Sequence, residues 1–190
     1  TYNNQSVLFN VSSSEEGTGS IIPDIDNSLV SWWRMDDLNS SGGVVDYMGR
    51  NNGTRVNAVQ TDAGKLGKGM SFDGVSGSYI GIGNPANLNL SGNMTISFWI
   101  YKNTAPSGNY AWAVAKGHAP TAGNSWTFGI HSSNAMYFFV RNSSNSYGYP
   151  GGSGGYSLGN NNWYYIVGVV DDRNLSFYVN GVYNSGRDWN

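Results

Sequence analysis

The amino-acid sequence predicts an all-β protein built as a sandwich, and three observations carry that prediction. From Ser28 onward, short runs of alternating apolar and polar residues recur between Gly, Asn and Ser clusters, at the spacing of a β-sandwich. No stretch sustains the 3.6-residue apolar period of a helix. The composition sets 27 glycines and 14% aromatic residues against only 12% charged residues, the solvation style of an extracellular β-protein.

The elements follow in chain order. Residues 1–27 divide into a strand-like run, "SVLFNV", and a polar stretch, "SSSEEGTGSIIPDIDN", which reads as a linker. "LVSWWRMDD" is expected as the first strand of the main domain, with Trp32 opposite the Leu29 and Trp33 face. In "MTISFWIY", Met94, Ile96, Phe98 and Ile100 share one face, and Thr95, Ser97, Trp99 and Tyr101 share the other. That pattern predicts a central strand packed on both sides. "MYFFV" sets Met136, Phe138 and Val140 against Tyr137 and Phe139. "WYYIVGVVD", residues 163–171, is the most continuously apolar segment and is also expected to be central. "NLSFYVNGV" alternates and then reaches Asn180-Gly181, which predicts a tight type I′ hairpin because both central positions need positive φ. The Gly-rich segment 141–162 exceeds an ordinary connection and is either a solvated loop or a binding loop, with Tyr147, Tyr149 and Tyr156 as its contact residues.

Charge and composition exclude several function classes. Ten Lys and Arg against 12 Asp and Glu give a net charge of −2, so there is no basic surplus for a phosphate backbone and nucleic acid is not an expected partner. With no cysteine, disulfides and thiolate metal sites are absent. No apolar run approaches the roughly 20 residues of a membrane helix, so no membrane insertion is expected within this chain. N-x-[S/T] sequons at Asn4, Asn10, Asn39, Asn52, Asn89, Asn93, Asn142 and Asn174 mark glycosylation candidates. They point, with the low charge, to a secreted or cell-surface location.

The order of five motifs resembles a known superfamily. "LVSWWRMDD", "GRNNGT", "GKLGKGMSFDGVSGSYIGIG", "LNLSGNMTISFWIY" and "WYYIVGVVDDRNLSFYVNGV" together resemble the concanavalin A-like lectin/glucanase superfamily, in its laminin G-like (LamG-type jelly-roll) branch. The resemblance covers about residues 28–184. It implies a two-sheet antiparallel jelly roll over residues 28–190, preceded by residues 1–27 as the tail of an earlier domain or a donated strand. Members continue past the "YVNG" hairpin with two further strands, so the sandwich is expected to lack its last strands unless they follow Asn190 or residues 6–11 fill the gap by strand addition.

The resemblance also implies one structural calcium, with Asp36, Asp37 and Asp73 as candidate ligands and Asp46 nearby in sequence. Oxygen ligands from such rim turns suit a hard cation. Asp73 has an alternative role, capping its own Asp-Gly turn, and Asp36 or Asp37 is alternatively a partner for Arg34. A retaining glucanase needs two carboxylates about 5 Å apart, and the only glutamates, Glu15 and Glu16, are adjacent and precede the domain. Neither His118 nor His131 has an acidic neighbour, and there is no helix to follow a nucleophile elbow.

Seven tryptophans and 13 tyrosines exceed the needs of one core, and aromatic faces on a sheet are how binding modules stack on sugar rings. Trp99, Tyr101, Trp112 and Trp126 join the three loop tyrosines as candidate ligand contacts. The expected function is a non-catalytic binding or adhesion module for a polysaccharide or glycoprotein. The alternatives are a structural module contacting other copies or domains of a surface assembly, or a polysaccharide-active enzyme such as a lyase.

Overall fold

In a computed structural model the described residues are 27–89, 92–117, 125–141, 147–148, 150, 155–172 and 174–188. The "SVLFNV" strand, Glu15, Glu16, His118, Tyr149 and the residues past Asp188 lie outside them, as does the question of a donated or closing strand.

Among the described residues the chain is all-β, with one short 3₁₀ turn at Ala86–Leu88. In order the strands are β1 (Thr54–Val56), β2 (Val59–Thr61), β3 (Gly69–Ser71), β4 (Tyr79–Gly81), β5 (Met94–Lys102), β6 (Tyr110–Lys116) and β7 (Ser125–His131). They continue as β8 (Ala135–Arg141), β9 (Tyr147–Gly148), β10 (Tyr156–Ser157), β11 (Asn162–Asp171), β12 (Asn174–Val179) and β13 (Val182–Asp188). These form four sheets: β1–β4, β2–β3, a four-stranded sheet in the order β13-β12-β11-β5, and a five-stranded sheet in the order β10-β8-β7-β6 with β9 also on β8.

The two large sheets share one core. Trp126, Phe128 and Ile130 of β7 and Met136, Phe138 and Val140 of β8 form a single buried cluster with Ile166, Val170, Leu175, Phe177 and Val179 of β11 and β12. Phe98 of β5 meets Phe128 edge-on at 5.0 Å, and Phe128 stacks on Phe138 at 4.5 Å. The space for that stack is opened by Gly168 of β11, where a Cβ would lie 2.6 Å from Phe128 and 2.8 Å from Phe138. Side chains that alternate along the strands therefore divide between this core and the two outer faces, except at a bulge in β6.

Sequence expectations hold at β11, which pairs with both β5 and β12, and at Asn180-Gly181, where φ values of 53° and 78° make the hairpin turn between β12 and β13. Two expectations need correction. β5 is an edge rather than a central strand among the described residues, pairing only with β11. Its Thr95, Ser97, Trp99 and Tyr101 are exposed, so only one of its faces is packed. "LVSWWRMDD" forms no ladder strand; near it there are isolated bridges at Leu38–Val44 and Val44–Gly53, and single backbone hydrogen bonds run from the Tyr47 N–H to the Trp32 carbonyl and from the Val45 N–H to the Asp37 carbonyl.

The reason lies in Asp46. Its carboxylate is buried, and Oδ1 accepts from the backbone N–H of Trp32 (2.8 Å) and Met48 (3.1 Å). Oδ2 accepts from the N–H of Asn51 (3.0 Å) and Arg50 (3.2 Å) and from the Ser31 hydroxyl (3.2 Å). A donor that strand pairing would use is taken by a side chain, and Met35, with φ of 68°, breaks the extended run. Trp33 completes the anchor by donating its indole N–H to the Asn51 carbonyl at 2.7 Å.

Burial pushes the Asp46 pKa up, but the hydrogen bonds from Trp32, Met48, Asn51 and Arg50 outweigh it and leave the pKa below its ordinary value. A carboxyl whose folded pKa is depressed contributes stability that is present above its unfolded pKa, about 3.9, and is lost as pH falls through the folded value. Asp46→Asn is expected to cost about 2 kcal/mol or more at pH 7. It should also flatten the fall in stability below about pH 4, as read by urea unfolding at a series of pH values.

Candidate binding face

The outer face of the five-stranded sheet gathers aromatic residues from three strands. On β7, Thr127, Gly129 and His131 point away from the core, because Trp126, Phe128 and Ile130 point into it. On β8 the outward set is Tyr137, Phe139 and Arg141. A bulge between Trp112 and Val114 lets Ala113 and Val114 both touch the core, while Trp112 sits opposite Gly129 on the outer side. The register places Tyr110 beside His131, Trp112 beside Gly129, Gly129 beside Tyr137, Thr127 beside Phe139, and Ser125 beside Arg141.

The rings form two stacked pairs that meet edge-on. Tyr110 and Trp112 lie 5.2 Å apart with planes 3° from parallel, and Tyr137 and Phe139 lie 5.6 Å apart at 18°. Tyr110 contacts Phe139 at 6.0 Å and Tyr137 at 6.2 Å, near perpendicular, and His131 closes the group at 5.0 Å from Tyr110. Gly129 is what lets Trp112 lie down on the sheet: a Cβ there would come within 2.6 Å of the indole. Tyr110 and Trp112 remain 39% and 41% exposed, so the platform presents ring surface to solvent.

Polar groups on the same sheet stand without hydrogen-bond partners among the described residues. Thr127 is buried and its Oγ1 has no partner. The Nε and Nη1 of half-buried Arg141 are likewise covered and unpartnered.

A second aromatic surface lies on the outside of the four-stranded sheet. Trp99 packs on Tyr165 at 5.1 Å and Tyr101 on Trp163 at 5.4 Å, each a directly opposed cross-strand pair. Lys65 sits 5.1 Å over the Trp99 ring, in cation–π range. Trp99 is 40% and Tyr101 44% exposed.

The aromatic residues proposed from sequence thus do not form one surface. Trp99 and Tyr101 occupy one outer face and Trp112 the other. Trp126 packs in the core instead of facing solvent, because it shares the inward phase of β7 with Phe128 and Ile130. Tyr156 packs against the core and meets Tyr164 edge-on at 6.1 Å. The backbone of Tyr147 pairs with Arg141 at the start of β9, and Tyr149 lies outside the described residues. Sequence reasoning missed Tyr110, Thr127 and Arg141, although the alternation that sets Tyr137 and Phe139 opposite the core extends by two residues to Arg141.

The aspartates are engaged in the architecture. Asp37 binds Arg34 at 2.6 Å, and Asp36 accepts from the Lys68 N–H at 2.7 Å with Arg34 Nε at 4.0 Å. Asp46 receives the five bonds described above. Asp73 accepts from the Val75 N–H at 3.0 Å, and that bond, with the Ser78 hydroxyl, holds its carboxyl below the usual range. Among the described residues no three acidic or histidine side chains group as a cation cage. Of the sequons, Asn39, Asn52, Asn89, Asn93 and Asn174 are exposed, while Asn4, Asn10 and Asn142 lie outside the described residues. The Asn39 side-chain carbonyl caps Ser41 and Gly43, and Asn93 bridges Asp171 and Asp172.

Antiparallel sheets on a shared core, with ring-bearing outer faces and rim turns held by aspartate, define the class of an all-β, sandwich-like domain. The Laminin_G_3 family model, described as the concanavalin A-like lectin/glucanases superfamily, matches residues 72–189, more than half of the chain, and the chain belongs to that family. No curated protein matches it. Among solved structures it is similar to an S-layer domain-containing protein from Clostridium thermocellum ATCC 27405, at 18% identity over 83% of this chain and 71% of that one. The TM-score of 0.46 is too low to carry an argument from one to the other.

If Asp73 is a turn cap, Asp73→Ala should lower the melting temperature by the same small amount with calcium or with a chelator. A calcium-induced rise that the substitution abolishes would make Asp73 a metal ligand.

Proposed function

We propose that this chain is a non-catalytic extracellular binding module, with the jelly-roll arrangement of its family, that recognises a polysaccharide or glycoprotein on the outer face of its five-stranded sheet. The observation that carries this reading is the Tyr110–Trp112 pair, parallel to within 3° and about two-fifths exposed at each ring. A pyranose ring has an apolar C–H face, and burying it against aromatic carbon removes both from water. Tyr137, half-buried, and Phe139, buried, back this pair edge-on, so the contact surface for a sugar is the Tyr110 and Trp112 rings. Membership in a superfamily that includes lectins supports the same reading. Among the described residues this face carries no carboxylate, so it supplies contact surface and hydrogen-bond donors rather than an acid and a base for hydrolysis.

Trp112→Ala is expected to weaken oligosaccharide binding at least tenfold, about 1.4 kcal/mol, with little change in melting temperature. Gly129→Ala, which forces the indole off the sheet, should act in the same direction although it removes no ring. Titration calorimetry across a glycan panel reads both, and unchanged affinity in both variants would move the site elsewhere.

The Trp99–Tyr165 and Tyr101–Trp163 pairs favour a second reading, in which the opposite face contacts other copies or domains of a surface assembly. Sedimentation velocity tests it: concentration-dependent association that disappears in Trp99→Ala supports assembly, and a monomer at every concentration speaks against self-contact.

A further inference from the structure

A polar cleft of about 180 Å³ lies between the turn at residues 39–43 and the start of β1, and no aromatic residue lines it. That volume is below the roughly 300–1,000 Å³ of sites for drug-sized ligands. It suits a small ion or the charged group of a larger molecule.

The cleft is rich in donors. Asn39 turns its side-chain oxygen to the N–H groups of Ser41 (3.0 Å) and Gly43 (2.8 Å), and Asn52 turns its own to the Asp46 N–H (2.9 Å). A backbone N–H only donates, so these bonds fix which end of each amide is the oxygen. What both exposed amides offer the cleft is NH₂, without a hydrogen-bond partner among the described residues. Ser41 and Thr54, exposed on the same lining, add two hydroxyls.

Acceptors are scarce by contrast. The carbonyls of Gly42, Gly43 and Gly53 already accept from Arg55 Nε, the Asn39 N–H and the Val44 N–H, and no carboxylate lines the cleft. Asp46, next to Asn52, is buried with its carboxylate committed to the five hydrogen bonds described above.

Arg55 supplies the charge. Its Nε and Nη1 donate to the Gly42 and Ala58 carbonyls, which hold the guanidinium across Gly42 without neutralising it, and no ion pair reaches it among the described residues. Nη2 has no partner there and remains open to solvent. With Nε engaged, the side-on fork that grips a planar carboxylate is closed. The open donors come instead from two chain segments, and a tetrahedral anion, whose oxygens point in four directions, can accept from each.

We propose that this cleft binds a tetrahedral oxoanion, sulfate or phosphate, free or as a monoester on a larger ligand, with Arg55 Nη2 and the Nδ2 groups of Asn39 and Asn52 as its donors. Both asparagines begin N-x-[S/T] sequons, so an N-glycan on either would take the same nitrogen and close the site.

The test is calorimetric titration of the whole, unglycosylated chain at low ionic strength with sodium sulfate, sodium phosphate, galactose 6-sulfate and galactose 6-phosphate, beside galactose as the neutral control. At least one anion should bind saturably at one site, more tightly than galactose, and its affinity should fall with added sodium chloride. Inorganic ions that bind as tightly as the esters support a free ion as ligand, and tighter binding of an ester supports an anion carried on a sugar. Asn39→Asp and Asn52→Asp each keep an oxygen for the backbone N–H groups and replace the NH₂ donor with a second carboxylate oxygen. Each should therefore weaken anion binding about tenfold or more, the scale of a hydrogen bond to a charged group, while the protein still melts cooperatively. Arg55→Gln should weaken it to a similar degree, and if that variant fails to fold the two Asp variants decide. Absence of saturable anion binding, an affinity for galactose equal to that of its esters, or unchanged anion affinity in both Asp variants overturns the assignment.

Discussion

The fold turns on the place where β11 has no side chain. Gly168 lets the Phe128–Phe138 stack of the five-stranded sheet press against the backbone of the four-stranded one. Any larger residue would drive the sheets apart or force both rings off their positions, the overpacking penalty of a well-filled core. This contact fixes more than the core. The side-chain period of a strand is two, so seating Phe128 and Phe138 inward commits Gly129, Tyr137 and Phe139 to the outside, and a one-residue slip would exchange the two sets. The outer platform is therefore a consequence of the inner packing.

Gly129 repeats the same device on the opposite side of the sheet. Gly168 admits aromatic rings from across the core, and Gly129 admits the Trp112 ring from the neighbouring strand. Both glycines act by removing a Cβ from the path of a ring, and neither has the positive φ that marks a turn glycine. The described aspartates near the rim serve backbone and ion-pair geometry: Asp46 gathers residues 31–51, Asp73 holds its own turn, and Asp36 and Asp37 meet Arg34. Acidic charge is thus kept off the five-stranded sheet, where Arg141 stands without a counter-charge among the described residues.

Local pattern makes much of the fold legible in the amino-acid order alone. The continuous apolar run of β11 marks it as central, Asn180-Gly181 marks the hairpin, and alternation sorts Met136, Phe138 and Val140 from Tyr137 and Phe139. What local pattern does not carry is pairing. β5 alternates as a central strand would, and only its neighbours reveal it as an edge. "LVSWWRMDD" has strand-like residues, but the carboxylate that captures the Trp32 N–H comes from 14 residues further on. The binding candidates fail as a set for the same reason. Whether Trp99, Trp112 and Trp126 share a surface depends on sheet order, on a bulge in β6 and on the phase of β7, none of which is written in the spacing of aromatic residues.

The central claim is that sugar is recognised on the outer face of the five-stranded sheet, and the seven tryptophan indoles report on it separately. In an amide and indole N–H correlation spectrum of the isotopically labelled protein, a bound oligosaccharide should shift the Trp112 indole together with the amides of Gly129 and Tyr137. The indoles of core Trp126 and of Trp99 on the opposite sheet should stay where they are. Shifts confined to Trp99 and Trp163, with Trp112 unmoved, would contradict the account and place recognition on the other face.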